Sequence, residues 1–70
     1  MELKEVNSSN ISKIGYENDT LYVEYKSGTQ YKYKGFPKNL YESFLEAESK
    51  GRFMNAEVKG KYEYERVSNN

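Results

Sequence analysis

The sequence contains no cysteine and no histidine among its 70 residues. Without these residues it has no thiol nucleophile, no disulfide and no imidazole, which is the commonest general base at neutral pH. The usual zinc ligands are missing as well. We therefore expect a protein that is not an enzyme and that uses neither a metal nor another cofactor.

The short length and the missing cross-links bear on stability. A chain of 70 residues holds one domain and buries only about 60% of the surface that its unfolded form exposes. Domains of this size are marginal unless disulfides, a metal or another subunit stabilise them. Because cysteine and histidine are absent, we predict that the chain stabilises itself as a homo-oligomer, either a dimer or a tetramer.

The sequence has no excess of either charge, since lysine plus arginine and aspartate plus glutamate each total 11. Binding a long nucleic acid needs a basic face that neutralises many phosphates, whereas a small anion needs only a few cations. No apolar run approaches the roughly 20 residues of a membrane span, and residues 1–5 lack the apolar stretch of a signal peptide. We expect a cytoplasmic protein with no membrane partner.

Tyrosine, in contrast, is abundant, with eight residues in the chain. Four of them form Tyr-x-Tyr doublets, at positions 31 and 33 and at positions 62 and 64. This spacing places both rings of a doublet on one face of a strand. Such a row of rings is either the inner face of a small sheet or a stacking surface for flat ligands such as nucleobases.

The patterning predicts an α+β fold. Apolar alternation and turn residues indicate strands at residues 11–16, 21–25 and 30–34. A helix over residues 37–50 follows, with Pro37 in its first turn and Gly51 as its C-terminal cap. Its apolar positions recur at helical spacing: Leu40, Tyr41, Phe44, Leu45 and Ala47. We expect a three-stranded antiparallel meander packed on one helix.

The C-terminal third of the chain is less regular. Residues 52–58 fit either a short helix or an irregular strand, with Phe53, Met54 and Val58 as apolar anchors. Residues 61–67 fit a last strand or an extended arm. The prediction is therefore a C-terminal short helix, a strand, or both, and one domain over residues 1–70.

The register of the second hairpin decides the role of Tyr31 and Tyr33. A two-residue loop at Ser27 and Gly28 pairs Tyr22 with Tyr33 and makes a stacking surface opposite the apolar side chains of β-strand residues 21 and 23. A three-residue loop that begins at Lys26, with Gly28 in a bulge, places both rings in the core instead. The sequence leaves both alternatives open.

Several polar and aromatic residues are candidates for binding a ligand. Serine and asparagine side chains at positions 8–10 and Asn55 are able to hydrogen-bond a base edge or a phosphate, although local turn chemistry and capping explain them equally well. Basic residues near these segments suit a phosphate, although they also fit a solvated face. The full set of candidates is Ser8, Ser9, Asn10, Tyr31, Tyr33, Arg52, Phe53, Asn55, Lys59 and Tyr62.

An ordered pattern over roughly residues 6–67 resembles the KTSC domain, a family named for its occurrence at the C-terminus of some lysyl-tRNA synthetases. A departure from the pattern is Met54, at a position where an aromatic residue is often found. The resemblance rests on Val6-Asn7-Ser8-Ser9-Asn10-Ile11, Gly15-Tyr16, Leu21-Tyr22-Val23, Gly28, Tyr31-Lys32-Tyr33, Phe36-Pro37, Ala47, Ser49-Lys50-Gly51, Phe53-Met54-Asn55, Val58 and Tyr62.

The resemblance implies functions that composition does not. KTSC domains of synthetases have been suggested to bind RNA, and some similar small viral proteins sequester the cyclic dinucleotides of bacterial antiviral signalling. We expect a non-enzymatic small-nucleotide-binding protein that sequesters cyclic dinucleotides in the bacterial host cell and so evades CBASS-type immunity. The alternatives are an RNA- or tRNA-binding accessory domain and a protein-binding inhibitor or adaptor that uses its tyrosine-rich face.

Overall fold

The computed structural model of the chain describes residues 3–67 and has an α+β fold. Its strands form one antiparallel sheet in chain order, in which each strand pairs with the strand before it. The strands are β1 (Lys4–Glu5), β2 (Ile11–Glu17), β3 (Thr20–Tyr25), β4 (Gln30–Lys34) and β5 (Tyr64–Val67).

The three central strands confirm the predicted meander, but three strands understated the sheet. Strands β1 and β5 extend it to five strands, one at each edge. β5 confirms a last strand within residues 61–67, whereas β1 was not predicted. With only two residues, β1 is too short for a periodic pattern to stand out from the surrounding sequence.

The first hairpin follows from local turn chemistry. Asn18 and Asp19 both have positive φ, at 53° and 58°, which is the conformation of a two-residue type I′ turn and is tolerated by these two residue types. At the far end of the hairpin, the register shifts by one residue between Ile11 and Lys13. Residues three apart in a regular strand point to opposite faces, but because of this bulge Ile11 and Ile14 both reach the core.

The second hairpin has the three-residue loop. Leu21 pairs with Tyr33 and Val23 pairs with Tyr31, and Gly28 has a φ of 97°. The two-residue alternative is therefore wrong, because one residue more in the loop turns every following side chain to the other face. Tyr33 is 4% exposed and belongs to the core, and the half-buried Tyr31 packs against it.

The predicted single helix is divided in two. Helix α1 (Lys38–Glu46) ends at Ala47, whose φ of −66° and ψ of 136° are extended. Helix α2 (Lys50–Phe53) continues directly into a π-helical turn (Met54–Val58). No helix within residues 3–67 is long and apolar enough to cross a membrane.

Side-chain caps explain this division. The Lys50 ammonium donates to the carbonyl oxygens of Leu45 and Ala47, at 3.2 and 2.6 Å, and so satisfies the free end of α1. The Ser49 hydroxyl accepts from the Arg52 N–H at 3.3 Å and starts α2. Gly51 therefore lies inside α2, and the prediction that it caps the preceding helix is wrong.

Both helices cover one face of the sheet and close a single apolar core. Phe44 of α1 is fully buried and stacks on Phe53 with ring centroids 4.8 Å apart. Tyr41 stacks on Tyr16 of β2 at 5.1 Å, as the predicted helix face requires. The buried core consists of Ile11, Ile14, Leu21, Val23, Tyr33, Phe36, Phe44, Met54 and Val58.

Candidate functional site

A pocket of about 350 Å³ opens on the core side of the sheet, beside β4 and β5. Its aromatic rings contact one another. The Tyr25 and Tyr31 ring centroids are 5.9 Å apart, and the Tyr64 ring lies 5.8 Å from both Tyr31 and Tyr33. We call this the tyrosine pocket; its lining residues are Tyr25, Tyr31, Tyr33, Lys59, Gly60 and Tyr64.

Strand register brings the four rings together. Tyr31 and Tyr33 are two residues apart in β4, so both point to the same face. Tyr64 in β5 is directly opposite Tyr33, and residues opposite each other in a ladder share a face. Tyr25, at the end of β3, reaches the same face beside Tyr31. The pocket is therefore built from three adjacent strands, which fix its aromatic walls.

The π-helical turn places Lys59, which is the charged residue among the described residues that line the pocket. Its last hydrogen bond runs from the Lys59 N–H to the Met54 carbonyl oxygen at 2.8 Å. Gly60 then turns the chain with a φ of 81°, which favours glycine. Arg66, opposite Tyr31 in the ladder, is a second cation on this face of the sheet. Both cations are exposed.

Two phenol groups of the pocket, those of Tyr25 and Tyr33, have raised pKa values. Burial raises the pKa of Tyr33, and the neighbouring hydroxyl of Tyr25, to which it is hydrogen-bonded, raises it further. Burial also raises the pKa of Tyr25. The pocket therefore combines aromatic rings, phenol hydroxyls and the side chain of Lys59. Within residues 3–67, no group of three or more acidic side chains is placed to hold a metal ion.

Three of the ten predicted binding residues meet in the tyrosine pocket: Tyr31, Tyr33 and Lys59. Ser8 and Ser9 line a separate polar pocket of about 210 Å³ beside the start of α2. The Ser8 hydroxyl accepts from the N–H groups of Asn10 and Ile11, at 3.3 Å each. This is the local turn chemistry that the sequence allowed as the alternative to ligand binding.

The remaining predicted residues lie elsewhere. Arg52 and Phe53 line an open groove of about 530 Å³ between the helices. Asn55 is exposed on the π-helical turn and lines none of these three pockets. Tyr62 precedes β5 and packs on Phe36, with ring centroids 5.0 Å apart. The structure thus divides the predicted residues among several places instead of one site.

Sequence reasoning omitted Tyr25, Gly60 and Tyr64 from the candidate residues. Tyr64 had a usable signal, because it shares the second Tyr-x-Tyr doublet with Tyr62. The doublet does not act as a pair, since the strand begins only at Tyr64. Tyr25 also had a signal, because it continues the apolar face of β3. Gly60 had none, since nothing local distinguishes it from the other glycines.

Comparison with known proteins places this geometry in a family. The model of the KTSC domain matches residues 7–62. The crystal structure of a KTSC domain protein from Yersinia pestis is similar with a TM-score of 0.91 and 33% identity, covering 96% of this chain and 97% of that one. An uncharacterized protein of Stutzerimonas stutzeri is 38% identical over 63 residues, which are 86% of this chain and 89% of that protein.

Larger proteins contain a similar segment. A lysine–tRNA ligase of Nostoc punctiforme is 37% identical over 60 residues, and the ligase of Trichormus variabilis gives the same identity over the same length. Each match covers 83% of this chain but only 11% of the ligase. The family description names no reaction. The family match and the structural similarity agree over nearly the same residues, and this chain belongs to the KTSC domain family.

Proposed function

We propose that this chain is a non-enzymatic binding protein for a small anionic nucleotide, which it holds in the tyrosine pocket. The observation that carries the proposal is the set of four contacting tyrosine rings with Lys59 at its rim. The buried Tyr33 supports the more accessible rings of Tyr25, Tyr31 and Tyr64. Flat bases stack on accessible aromatic rings whatever their sequence, at about 1–3 kcal/mol per base. The lysine supplies the charge for one phosphate.

Charge supports a small ligand over a long nucleic acid. Lys32 and Lys34 lie on the other face of the sheet and pair with Glu65 at 3.3 and 3.4 Å. They are therefore partly neutralised and point away from the pocket. Lys59 lines the pocket and Arg66 lies on the same face of the sheet, which is enough for one or two phosphates but not for a long phosphate backbone.

The size of the pocket narrows the ligand further. A volume of about 350 Å³ is near the lower end of the usual range of roughly 300–1,000 Å³ for small-molecule sites. It suits one base with its sugar and phosphate, so a cyclic dinucleotide places one base in each pocket. If the predicted homo-oligomer forms, its pockets would hold both bases of one ligand, and the protein would sequester cyclic dinucleotide signals of bacterial antiviral defence in the cytoplasm of the host cell.

Calorimetry with mononucleotides, cyclic dinucleotides and tRNA tests the proposal. Tyr64→Ala, which removes an exposed ring of the pocket, is expected to weaken nucleotide binding by about 5- to 150-fold, the equivalent of one lost stack. Tyr22→Ala is the matched control, because Tyr22 lies on the other face of the sheet and pairs with Lys32. Lys59→Gln and Lys61→Gln form the corresponding pair for charge.

Two results would contradict the proposal. One is that Tyr64→Ala and Tyr22→Ala weaken nucleotide binding equally, which would show that the ligand does not bind in the tyrosine pocket. The other is chemical conversion of the ligand, since a sequestering protein releases its ligand intact after heat denaturation. Chromatography of the supernatant shows whether the ligand was released intact or converted.

RNA binding is the second candidate, and the similarity to lysine–tRNA ligases is the observation that favours it. The affinity for tRNA falls steeply as the salt concentration rises, because many phosphates are contacted. The affinity for one small nucleotide falls much less, because only about one phosphate is contacted. Salt-sensitive binding to tRNA, with no heat from any cyclic dinucleotide, selects this function. A protein-binding inhibitor or adaptor role stays a prediction.

A further inference from the structure

The outer edge of β5 is an exposed edge of the sheet. Within residues 3–67, β4 is the only strand that pairs with β5. Tyr64 is 62% exposed and is the one exposed large hydrophobic side chain in that part of the chain. An edge strand of this kind presents free backbone groups that pair readily with another strand.

The ladder between β4 and β5 shows which backbone groups point outward. The Lys34 N–H donates to the Glu63 carbonyl oxygen at 3.0 Å, so these two residues form a hydrogen-bonded pair. Such pairs alternate along an antiparallel ladder. Glu65 therefore directs its N–H and C=O toward β4, and Tyr64 and Arg66 direct theirs toward the open edge.

We propose that a second copy of this chain pairs with β5 in antiparallel orientation, about a two-fold axis at Glu65, and that the partner's Arg66 completes the tyrosine pocket. In this register Tyr64 lies opposite the partner's Arg66. Both residues have outward backbone groups, so each of the two symmetry-related pairs exchanges its N–H and C=O bonds. The two sheets become one continuous sheet.

Side-chain chemistry supports this register. Tyr64 and Arg66 are opposite Tyr33 and Tyr31 in the ladder, so both point to the pocket side. The guanidinium of the partner's Arg66 therefore lies beside the exposed Tyr64 ring, where a cation–π contact is favourable. An axis at Arg66 would instead oppose two guanidinium groups, which repel each other.

The other face of the sheet tolerates the same axis. There each Glu65 lies opposite its copy, which by itself is repulsive. Each Glu65 is, however, already paired with Lys32 and Lys34, at 3.3 and 3.4 Å. These lysines lower the pKa of Glu65 and give the paired cluster a net positive charge. The repulsion between the two carboxylates is therefore offset within the cluster.

This interface adds the partner's Arg66 to the cations beside the pocket, and in that role alone it rests on the proposed function. Lys59 and the partner's Arg66 then flank the same four rings. The two-fold axis also places two pockets on the same side of one continuous sheet. A ligand with two bases and two phosphates matches this arrangement better than it matches one copy.

Cysteine cross-linking tests the axis directly. The chain has no cysteine, so Glu65→Cys introduces a single thiol. At the axis the two Cα atoms lie about 4.5 Å apart, within the range that a disulfide spans. Under mild oxidation we expect a covalent dimer from Glu65→Cys and none from Glu42→Cys, a control on the exposed face of α1. Equal cross-linking of the two variants would overturn the axis.

A proline on the open edge tests the backbone pairing. Arg66→Pro removes an outward N–H, so the bonds between β4 and β5 remain. By sedimentation velocity we expect the wild-type mass at micromolar concentration to be twice the 8.2 kDa of one chain, and that of Arg66→Pro to be one chain. Arg66→Gln should remain dimeric and bind nucleotide more weakly than Lys61→Gln.

The outcomes separate the two proposals. A monomeric wild type, or a dimer that Arg66→Pro leaves intact, overturns the β5 interface. If that protein still binds nucleotide in the tyrosine pocket, the proposed function stands. If the dimer cross-linked at position 65 forms but binds no nucleotide, the β5 interface stands and the proposed function is wrong.

Discussion

Replacement of Phe44 by alanine tests how this small core is stabilised. Phe44 is fully buried and stacks on Phe53 with ring centroids 4.8 Å apart and an interplanar angle of 11°. Truncation of a buried phenylalanine costs about 3–5 kcal/mol, because transfer free energy is lost and a cavity remains. This cost includes about 0.5–1.5 kcal/mol for the lost aromatic pair.

The size of the domain makes this loss decisive. At about 0.05–0.15 kcal/mol per residue, a domain of 70 residues has a free energy of unfolding of about 4–10 kcal/mol. Phe44→Ala therefore removes between a third and all of the stability. Phe44→Leu keeps most of the buried volume and should cost less than about 1.5 kcal/mol.

Urea unfolding followed by circular dichroism measures these differences. The protein concentration must be equal for all variants, because association of subunits adds to the apparent stability. Glu42→Ala, on the exposed face of the same helix, is the control for helix propensity and should change the free energy of unfolding by less than about 0.5 kcal/mol. A Phe44→Ala protein within about 1 kcal/mol of wild type would refute the packing argument.

Two further predictions concern pH and the glycines. Because burial raises the folded-state pKa of Tyr33 and Tyr25 above the ordinary value of 10.0, the stability they contribute is complete below pH 10 and is lost as pH rises through their folded pKa values. Absorbance at 295 nm during alkaline titration should show these tyrosines ionising late, and Tyr33→Phe should flatten the loss of stability. Gly51→Ala should stabilise the protein by up to about 1 kcal/mol, because Gly51 is helical and alanine is the better helix former. Gly28→Ala should destabilise it, by about 1 kcal/mol or more, because alanine is strained at a φ of 97°. Thermal melts of both variants measure these changes. If Gly51→Ala destabilises the protein, Gly51 acts as the helix cap that the sequence predicted and is not an ordinary helical residue.

Local patterns determined the centre of the fold. The alternation in β3, the turn residues Asn18 and Asp19, and the helical spacing around Phe44 are each encoded within a few neighbouring residues. Such local signals can be read without knowing which segments pack together, so the central strands and the main helix were predictable. The ordered pattern along the chain likewise indicates the KTSC family, because it is spread over many positions and does not depend on how they pack.

Tertiary pairing decided the edges of the sheet and the site. Strands β1 and β5 are strands because β2 and β4 supply their hydrogen bonds. The sequence of β1 carried no signal for a strand, and residues 61–67 fitted an extended arm as well as a strand. The same pairing selected Tyr64 over Tyr62 for the pocket. The hairpin loop at Gly28 set whether Tyr33 points inward, and that choice depends on which face the helices cover. The sequence therefore predicted tyrosine rings on one face of a strand, whereas only packing between distant segments placed four of the rings together beside Lys59.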